Sequence, residues 1–236
     1  MKKMNTILAA VGALLMLSVT GANSVEFKAG VSANGMAAYA NAKETLKGTG
    51  VKTGRTTNEE AVLAASFASV FAEVSGDAMM GLGLGVSYAP NVADLSKETR
   101  HIANTSGDAG NDADGGVQAV AGKINDLVSV YLTLPVGDSG AYFKAGYIQA
   151  TLITDESLAS GSKYEDIDMS GTQIGGGYEG SLGDMAFWRA EGSYQMWEDI
   201  SAGGSESDGD TDDNTKNNIS AEIGSVTGSL SIGMKF

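Results

Sequence analysis

The sequence predicts an all-β protein that folds as a closed, eight-stranded, antiparallel, up-and-down β-barrel. Segments in which apolar and polar residues alternate recur along the chain, and this period of two is typical of strands whose successive side chains point to opposite faces. Long polar stretches and very short turns join these segments alternately. The composition agrees, because 33 glycines and only 2 prolines provide many turn-forming residues.

The final segment of the chain shows the alternation most clearly. Its apolar positions are every second residue from the end, namely Phe236, Met234, Ile232 and Leu230. The residues between them, including Lys235 and Ser231, are polar or glycine. This pattern predicts a strand that has one apolar face and ends in a terminal aromatic residue.

Seven further segments show the strand pattern. The predicted strands cover residues 25–39, 60–74, 78–89, 117–136, 141–153, 169–179, 185–197 and 217–236. The first is much longer than the five or so residues of an ordinary soluble strand, which favours a tilted strand with an extended end. A break is predicted at Pro90-Asn91, and residues 199–216 are predicted to be a fourth long loop.

The amino end has the layout of a secretory signal peptide. Lys2 and Lys3 precede an apolar run at residues 7–19, and small residues follow. The run is shorter than the roughly 20 residues that a spanning helix needs. We expect residues 1–24 to be a cleavable signal peptide and residues 25–236 to be one barrel domain, with cleavage after Ala22 as an alternative.

These features resemble the small eight-stranded barrels of bacterial outer membranes, the group that holds the OmpA transmembrane domain, OmpX and the opacity-protein-like surface antigens. The resemblance implies export through the periplasm and a transmembrane barrel surrounded by outer-membrane lipid and lipopolysaccharide. It also implies that the short turns face the periplasm and the four long loops face outward. In this family the barrel-assembly machinery reads a terminal signal, which here corresponds to Phe236, Met234, Ile232 and Leu230.

An eight-stranded barrel has a lumen just wide enough for side chains to fill. The charged residues predicted to point inward are Glu26, Lys28, Lys144, Arg189 and Glu191. Because an unpaired ion is costly in a confined interior, we expect these residues to pair in a polar network that plugs the lumen. Alternatively, some of them lie at the mouths of the lumen and are hydrated.

Aromatic residues on the opposite register are candidates for girdles at the two membrane interfaces. These candidates are Tyr39, Tyr88, Tyr147, Trp188 and Tyr194, with Phe236 at the end of the chain. Trp197 falls in the inward register and is expected at the upper rim.

Several site classes are disfavoured by composition. The chain has no cysteine, and its formal net charge of −14 argues against nucleic acid as a partner. The acidic run around Asp208 and Asp213 does not match a calcium-binding loop. Counted from Asp208, position twelve is Ile219, where such a loop has a bidentate glutamate. We predict no catalytic residue, no cofactor and no metal site.

The sequence is compatible with three functions. The favoured one is a noncatalytic surface or adhesion protein, or a structural protein, whose loops contact other cells, host molecules or phage. The second is a narrow transport barrel or small-solute porin, which some eight-stranded relatives form through a gap in the wall. The third is a lipid-modifying enzyme, and it is disfavoured because the single histidine, His101, has no obvious nucleophile and orienting pair beside it.

Overall fold

The computed structural model describes residues 25–45, 56–76, 81–101, 117–157, 166–203 and 218–236. The predicted signal peptide and the first residues of the predicted third strand lie outside these ranges. The described part of the chain contains no helix that is long and apolar enough to cross a membrane.

The described residues form one antiparallel sheet that closes on itself. Its strands are β1 (Val25–Thr45), β2 (Thr56–Gly76), β3 (Gly83–His101), β4 (Val117–Pro135), β5 (Ala141–Ser157), β6 (Ile167–Ser181), β7 (Ala186–Trp197), β8 (Ile200–Gly203) and β9 (Asn218–Lys235). From β1 to β7 each strand pairs with the next along the chain, β7 and β8 both pair with β9, and β1 pairs with β9 to close the barrel. The short β8 pairs with the first residues of β9, and β7 pairs with the residues that follow. These two strands therefore occupy one position in the wall, which has eight strands around the barrel. The predicted closed eight-stranded barrel is confirmed.

The two ends of the barrel differ in their connections. Short hairpins at one end link β2 to β3, β4 to β5, and β6 to β7. In the hairpin after β4, the Val136 amide donates to the Ala141 carbonyl at 2.8 Å, and Gly137 and Gly140 have φ of 57° and 82°. Such left-handed backbone favours glycine. We call this the turn end, and the opposite end the loop end.

At the loop end the strands reach further than the sequence pattern predicts. β1 and β2 stay paired as far as Thr45 and Thr56, beyond the predicted bounds of residues 39 and 60. The fourth predicted loop also contains β8, which pairs with the first residues of β9. These bounds were wrong because a backbone ladder can continue after the apolar face has ended.

The prediction that Pro90-Asn91 ends the third strand is also wrong. β3 continues to His101 and pairs with β4 along its length, with irregularities between Asn91 and Ala93 and between Leu95 and Glu98. What ends near Pro90 is the pairing with β2, whose last pair is Val70 with Tyr88. Proline has no backbone N–H, and bulges bend a strand. We call the unpaired boundary between residues 56–69 of β2 and 89–101 of β3 the β2–β3 seam.

The side chains are distributed inside out relative to a soluble protein. The outward register carries large apolar residues that are about half exposed or more, among them Val31, Leu132, Phe143, Ile174, Leu230 and Ile232. The inward register carries buried polar residues, among them Ser32, Glu73, Gln173, Arg189, Gln195 and Ser231. The barrel therefore presents an apolar wall and encloses polar groups, as transmembrane barrels do.

Candidate functional site: the lumen

The lumen is divided into three layers along the barrel axis. An ion layer lies at the turn end, a polar layer lies in the middle, and an apolar chamber lies at the loop end. Each layer comes from the inward register of several strands, so the alternation of each strand decides which side chains meet there.

The ion layer is centred on Arg189 of β7. Its Nη1 and Nη2 donate to the two carboxylate oxygens of Glu73 on β2, at 2.9 and 2.8 Å. Its Nε donates to Oε2 of Glu179 on β6 at 2.7 Å. The side chains of Arg189 and Glu73 are each only 3% exposed. One guanidinium therefore contacts both carboxylates, and its planar fork suits the bidentate pairing with Glu73.

Two lysines complete the ion layer. Lys28 of β1 bridges Glu179 at 2.9 Å and Glu26 at 3.1 Å. Lys144 of β5 pairs with Glu191 of β7 at 3.1 Å. Together with the contacts of Arg189, these ion pairs join β1, β2, β5, β6 and β7 across the interior.

Aromatic rings pack around the charges. The Arg189 guanidinium carbon lies 5.3 Å from the centre of the Phe71 ring and 5.1 Å from that of Phe187. The Lys144 ammonium lies 4.1 Å from the centre of the Tyr131 ring. These are cation–π distances, and the rings fill space between the ion pairs at the turn end.

The five charged residues predicted to face the lumen all take part in ion pairs of this layer. The prediction omitted two of their partners, Glu73 and Glu179. Glu179 was in the inward register of its strand, but it was not included in the network. Glu73 lies in β2, whose sequence has apolar residues on both faces, such as Phe67 on one and Val70 on the other, so the sequence alone assigns no inward face to this strand.

The polar layer is a set of mutually satisfied hydrogen bonds. Ser32 and Ser231 contact each other through their hydroxyls at 2.8 Å. Asn34 donates to Ser69 at 3.0 Å and accepts from Ser229 at 2.7 Å. Gln173 donates to Ser129 in the same layer.

The apolar chamber is an internal cavity of about 230 Å³ at the loop end. Its lining includes Met36, Leu63, Val92, Leu127, Met169 and Trp197. At its floor the Trp197 indole N–H donates to Ser225 at 3.1 Å, and the Ser225 hydroxyl donates to Gln195 at 2.5 Å. Trp197 was expected at the upper rim, and its indole lines this chamber. No pattern in the sequence indicated the chamber.

The β2–β3 seam runs beside the chamber. Leu63 of β2 and Val92 of β3 both line the chamber, and both belong to the stretches that do not pair with each other. Phe67 of β2 and Ala89 of β3, just above the last pair, pack in the same apolar cluster. One side of the chamber is therefore bounded by strand edges without a hydrogen-bonded ladder between them.

The candidate interfacial aromatics point outward. Tyr39, Tyr147, Trp188 and Tyr194 are between 37% and 49% exposed. The hydroxyls of Tyr39 and Tyr194 lie 2.8 Å apart. Tyr88 is part-buried and donates to Asp126 at 2.6 Å.

The candidate assembly signal also lies in the outward register. Its four residues are between 44% and 68% exposed. Phe236 exchanges two backbone hydrogen bonds with Phe27, at 2.8 and 3.1 Å, so the last residue is held against the first strand. Recognition by the assembly machinery stays a prediction.

Other candidates lie outside the described residues. They are the acidic run around Asp208 and Asp213 and the side chain of His101. Among the residues that the structure describes, no group of three or more acidic or histidine side chains is arranged to hold a metal ion.

Comparison with solved structures supports the fold. The chain is similar to the outer membrane protein OprG from Pseudomonas aeruginosa, with 12% identity, a TM-score of 0.51, and coverage of 92% of this chain and 98% of that one. Two further solved structures are similar at a lower TM-score of 0.39. They are the attachment invasion locus protein Ail of Yersinia pestis, with 12% identity over 88% of this chain and 99% of that one, and the protease OmpT from Escherichia coli, with 10% identity over 89% and 97%.

No protein-family model and no curated protein matches the sequence. At these identities the similarity concerns the fold alone. The chain therefore has the fold of the small bacterial outer-membrane β-barrels, as its sequence led us to expect.

Proposed function

We propose that this chain is a noncatalytic barrel of the bacterial outer membrane that passes small apolar solutes from its lumen sideways into the membrane. The membrane location is supported by the inside-out distribution of side chains, because exposed apolar residues such as Leu230 and Ile232 alternate with buried Ser231. The observation that carries the passage is the β2–β3 seam beside an apolar chamber.

The seam extends to the depth of the membrane. Tyr39, a candidate residue of the outer interface, pairs with Val62 of β2, whereas the seam begins above Val70. The eight residue steps from Val70 to Val62 cover roughly 25 Å along a strand. A tilted strand of this length crosses much of one leaflet, so a solute leaving through the seam would enter lipid.

The ion layer closes the route towards the turn end. Below the chamber, a solute would meet the polar layer and then Arg189, Glu73 and Glu179, which are joined by short ion pairs. Displacing these groups would leave buried charges without partners. The proposed direction is thus from the medium to the chamber and then to the lipid, and no ion-conducting pore is expected.

The experiment bridges the seam covalently. The chain has no native cysteine, so Ser66→Cys and Asn91→Cys, at exposed positions on the two sides of the seam, can be joined with a bis-maleimide. Uptake of a fluorescent naphthalene derivative by cells carrying the bridged protein should fall to that of cells without the protein. A matched control bridges Ala37→Cys and Val226→Cys, which pair across the closed β1–β9 boundary, and should not change uptake.

Two results would contradict the proposal. One is uptake that is unchanged by the seam bridge. The other is stable ion conductance of the purified protein in planar bilayers, because the ion layer would then not close the lumen.

Display of the loops at the cell surface is a second candidate function. The observation that favours it is the length of β1 and β2, each with 21 residues, where about 9–11 suffice to cross a bilayer. The two strands are therefore longer than the crossing of a bilayer requires. Replacing residues 46–55 with a short Gly-Ser turn should reduce adhesion of cells to surfaces or other cells, without lowering the amount of barrel in the membrane.

A further inference from the structure

We infer that the apolar chamber is a binding site for small hydrocarbons that carry no hydrogen-bonding group. This inference rests on the proposed lateral passage and specifies which molecules would use it. Three properties of the chamber support it: its volume, the pairing of its polar groups, and its position above a polar floor.

The volume of the chamber limits the size of the ligand. The cavity holds about 230 Å³. An engineered apolar cavity of about 150 Å³ in another protein stays dry and binds benzene. The present chamber is larger, so it suits a molecule of the size of naphthalene or a short alkylbenzene.

The chemistry of the lining selects against polar ligands. Aliphatic and methionine side chains form most of the wall, including Met36, Leu127 and Met169. Three lining side chains carry polar atoms, those of Tyr39, Trp197 and Ser225. The Tyr39 hydroxyl lies 2.8 Å from that of Tyr194, and the Trp197 indole N–H donates to the Ser225 hydroxyl. The Ser225 hydroxyl then donates to Gln195, which also accepts from Thr227 at 3.2 Å.

A ligand hydroxyl would find no free partner among these groups. It would have to break one of the floor hydrogen bonds or enter without one, and a buried polar group without a partner is unfavourable. An apolar ligand loses nothing by leaving water. We expect a hydrocarbon to bind at least about tenfold more tightly than the same ring system with a hydroxyl group, in line with the cost of an unmade hydrogen bond.

The sequence provides a reporter for the chamber. The chain has only two tryptophans; Trp188 is outward and 37% exposed, whereas Trp197 lines the chamber. In a Trp188→Phe background, the fluorescence of Trp197 reports on the chamber alone. The full-length mature chain is folded in lipid nanodiscs and titrated with bromobenzene, whose heavy atom quenches indole on contact.

The expected result is saturable quenching that naphthalene relieves. Its matched competitor, 2-naphthol, should need at least a tenfold higher free concentration. Ala221→Phe, which places a ring at the chamber wall, should lower the affinity for bromobenzene at least tenfold. Ala33→Phe, on the outward face of β1, is the control and should leave the affinity unchanged.

A second variant protects the test against misfolding of Ala221→Phe. Met169→Ala enlarges the chamber and should shift the preference among competitors from naphthalene towards anthracene. Folding of each variant is checked by its altered electrophoretic migration before boiling.

Three results would overturn the inference. Linear quenching that Ala221→Phe does not change would show partition into lipid. Equal competition by naphthalene and 2-naphthol would show that the chamber does not discriminate against a hydroxyl group. Failure of both competitors would show that acyl chains or other residues of the chain fill the chamber.

The same protein separates this inference from the proposed function. Saturable binding that persists while the seam bridge has no effect on uptake would retain the site and remove the passage. Uptake that depends on the seam without saturable quenching would retain the passage and remove the site.

Discussion

Arg189 of β7 and Glu73 of β2 form a bidentate ion pair across the lumen, with N–O distances of 2.9 and 2.8 Å. Their strands are not neighbours in the barrel wall. The pair therefore links two parts of the wall that share no backbone hydrogen bonds. Each of the two side chains is only 3% exposed, so the strength of this ion pair depends on its being shielded from water.

Removing the cation should destabilise the barrel more than removing the anion. Arg189→Gln leaves Glu73 charged, buried and without a cation, and such losses are typically about 3–5 kcal/mol. Glu73→Gln costs less, because Arg189 keeps its 2.7 Å contact with Glu179. The free energy of unfolding in urea, followed by tryptophan fluorescence of the barrel in detergent micelles, measures both.

The control for this prediction is Glu26→Gln. The Glu26 side chain is 41% exposed and pairs with Lys28 at 3.1 Å. Partly exposed pairs contribute about 0–1 kcal/mol, so this variant should be close to the wild type. Equal effects of the three substitutions would show that burial does not set the strength of this network.

The positions of the charged residues could be predicted because they depend on a local rule. In a barrel wall the period of two alone decides which side chains point inward. As this register requires, Lys144 is partly buried inside the barrel and Phe143 is exposed on the outer wall. The pairing of charges followed from the cost of an isolated ion. The identity of each partner did not follow, since Glu73 meets Arg189 only after the barrel has closed.

The seam and the chamber could not be predicted for a different reason. The prediction that Pro90 ends the third strand was wrong, because a sequence does not show which of two neighbours a strand will leave. In the structure, β3 remains paired with β4 as far as His101, whereas its pairing with β2 ends at Tyr88. The chamber likewise depends on the mutual distances of inward residues from several strands, such as Leu63, Val92 and Met169, which no local pattern determines.

A methyl group added at Gly85 should destabilise the barrel. In the inward register a Cβ at this position would overlap the ring of Tyr131, which is only 2% exposed and cannot move aside freely. Overpacking of this kind typically costs about 1–3 kcal/mol. The measurement is the shift in the urea midpoint of Gly85→Ala.

Gly35→Ala is the matched control for Gly85→Ala. A Cβ at Gly35 meets no atom within 4 Å, and alanine in a strand is about 0.5–1 kcal/mol more favourable than glycine. We expect a neutral or slightly raised midpoint. A loss equal to that of Gly85→Ala would mean that backbone freedom, and not the fit of Tyr131, explains the effect.

A charge on the outward face should be tolerated only near the ends of the barrel. Leu230 is 68% exposed and lies between Ala33 and Ala190 of the neighbouring strands. Leu230→Arg should cost about 2–4 kcal/mol in a bilayer, as arginine does near the midplane. The free energy of unfolding from lipid vesicles is the measurement.

Val62→Arg tests the cost of an outward charge near the loop end of the barrel. Val62 is 84% exposed and pairs with Tyr39, a candidate residue of the interface, where arginine costs about 0–1 kcal/mol. If both substitutions proved neutral in vesicles, the outward wall would not face hydrocarbon, and the proposed membrane location would fail.

Hydrogen exchange should distinguish the β2–β3 seam from the rest of the wall. Residues 63–69 of β2 pair with β1 on one side only, whereas residues 31–37 of β1 pair with both β2 and β9. A backbone hydrogen bond contributes about 0.5–1.5 kcal/mol net, so the amides that face the seam should exchange up to roughly tenfold faster. Mass spectrometry of peptides covering the two stretches, with the protein in nanodiscs, measures this. Equal protection of both stretches would mean that β2 and β3 are joined in the membrane, and lateral passage through the wall would then have no opening.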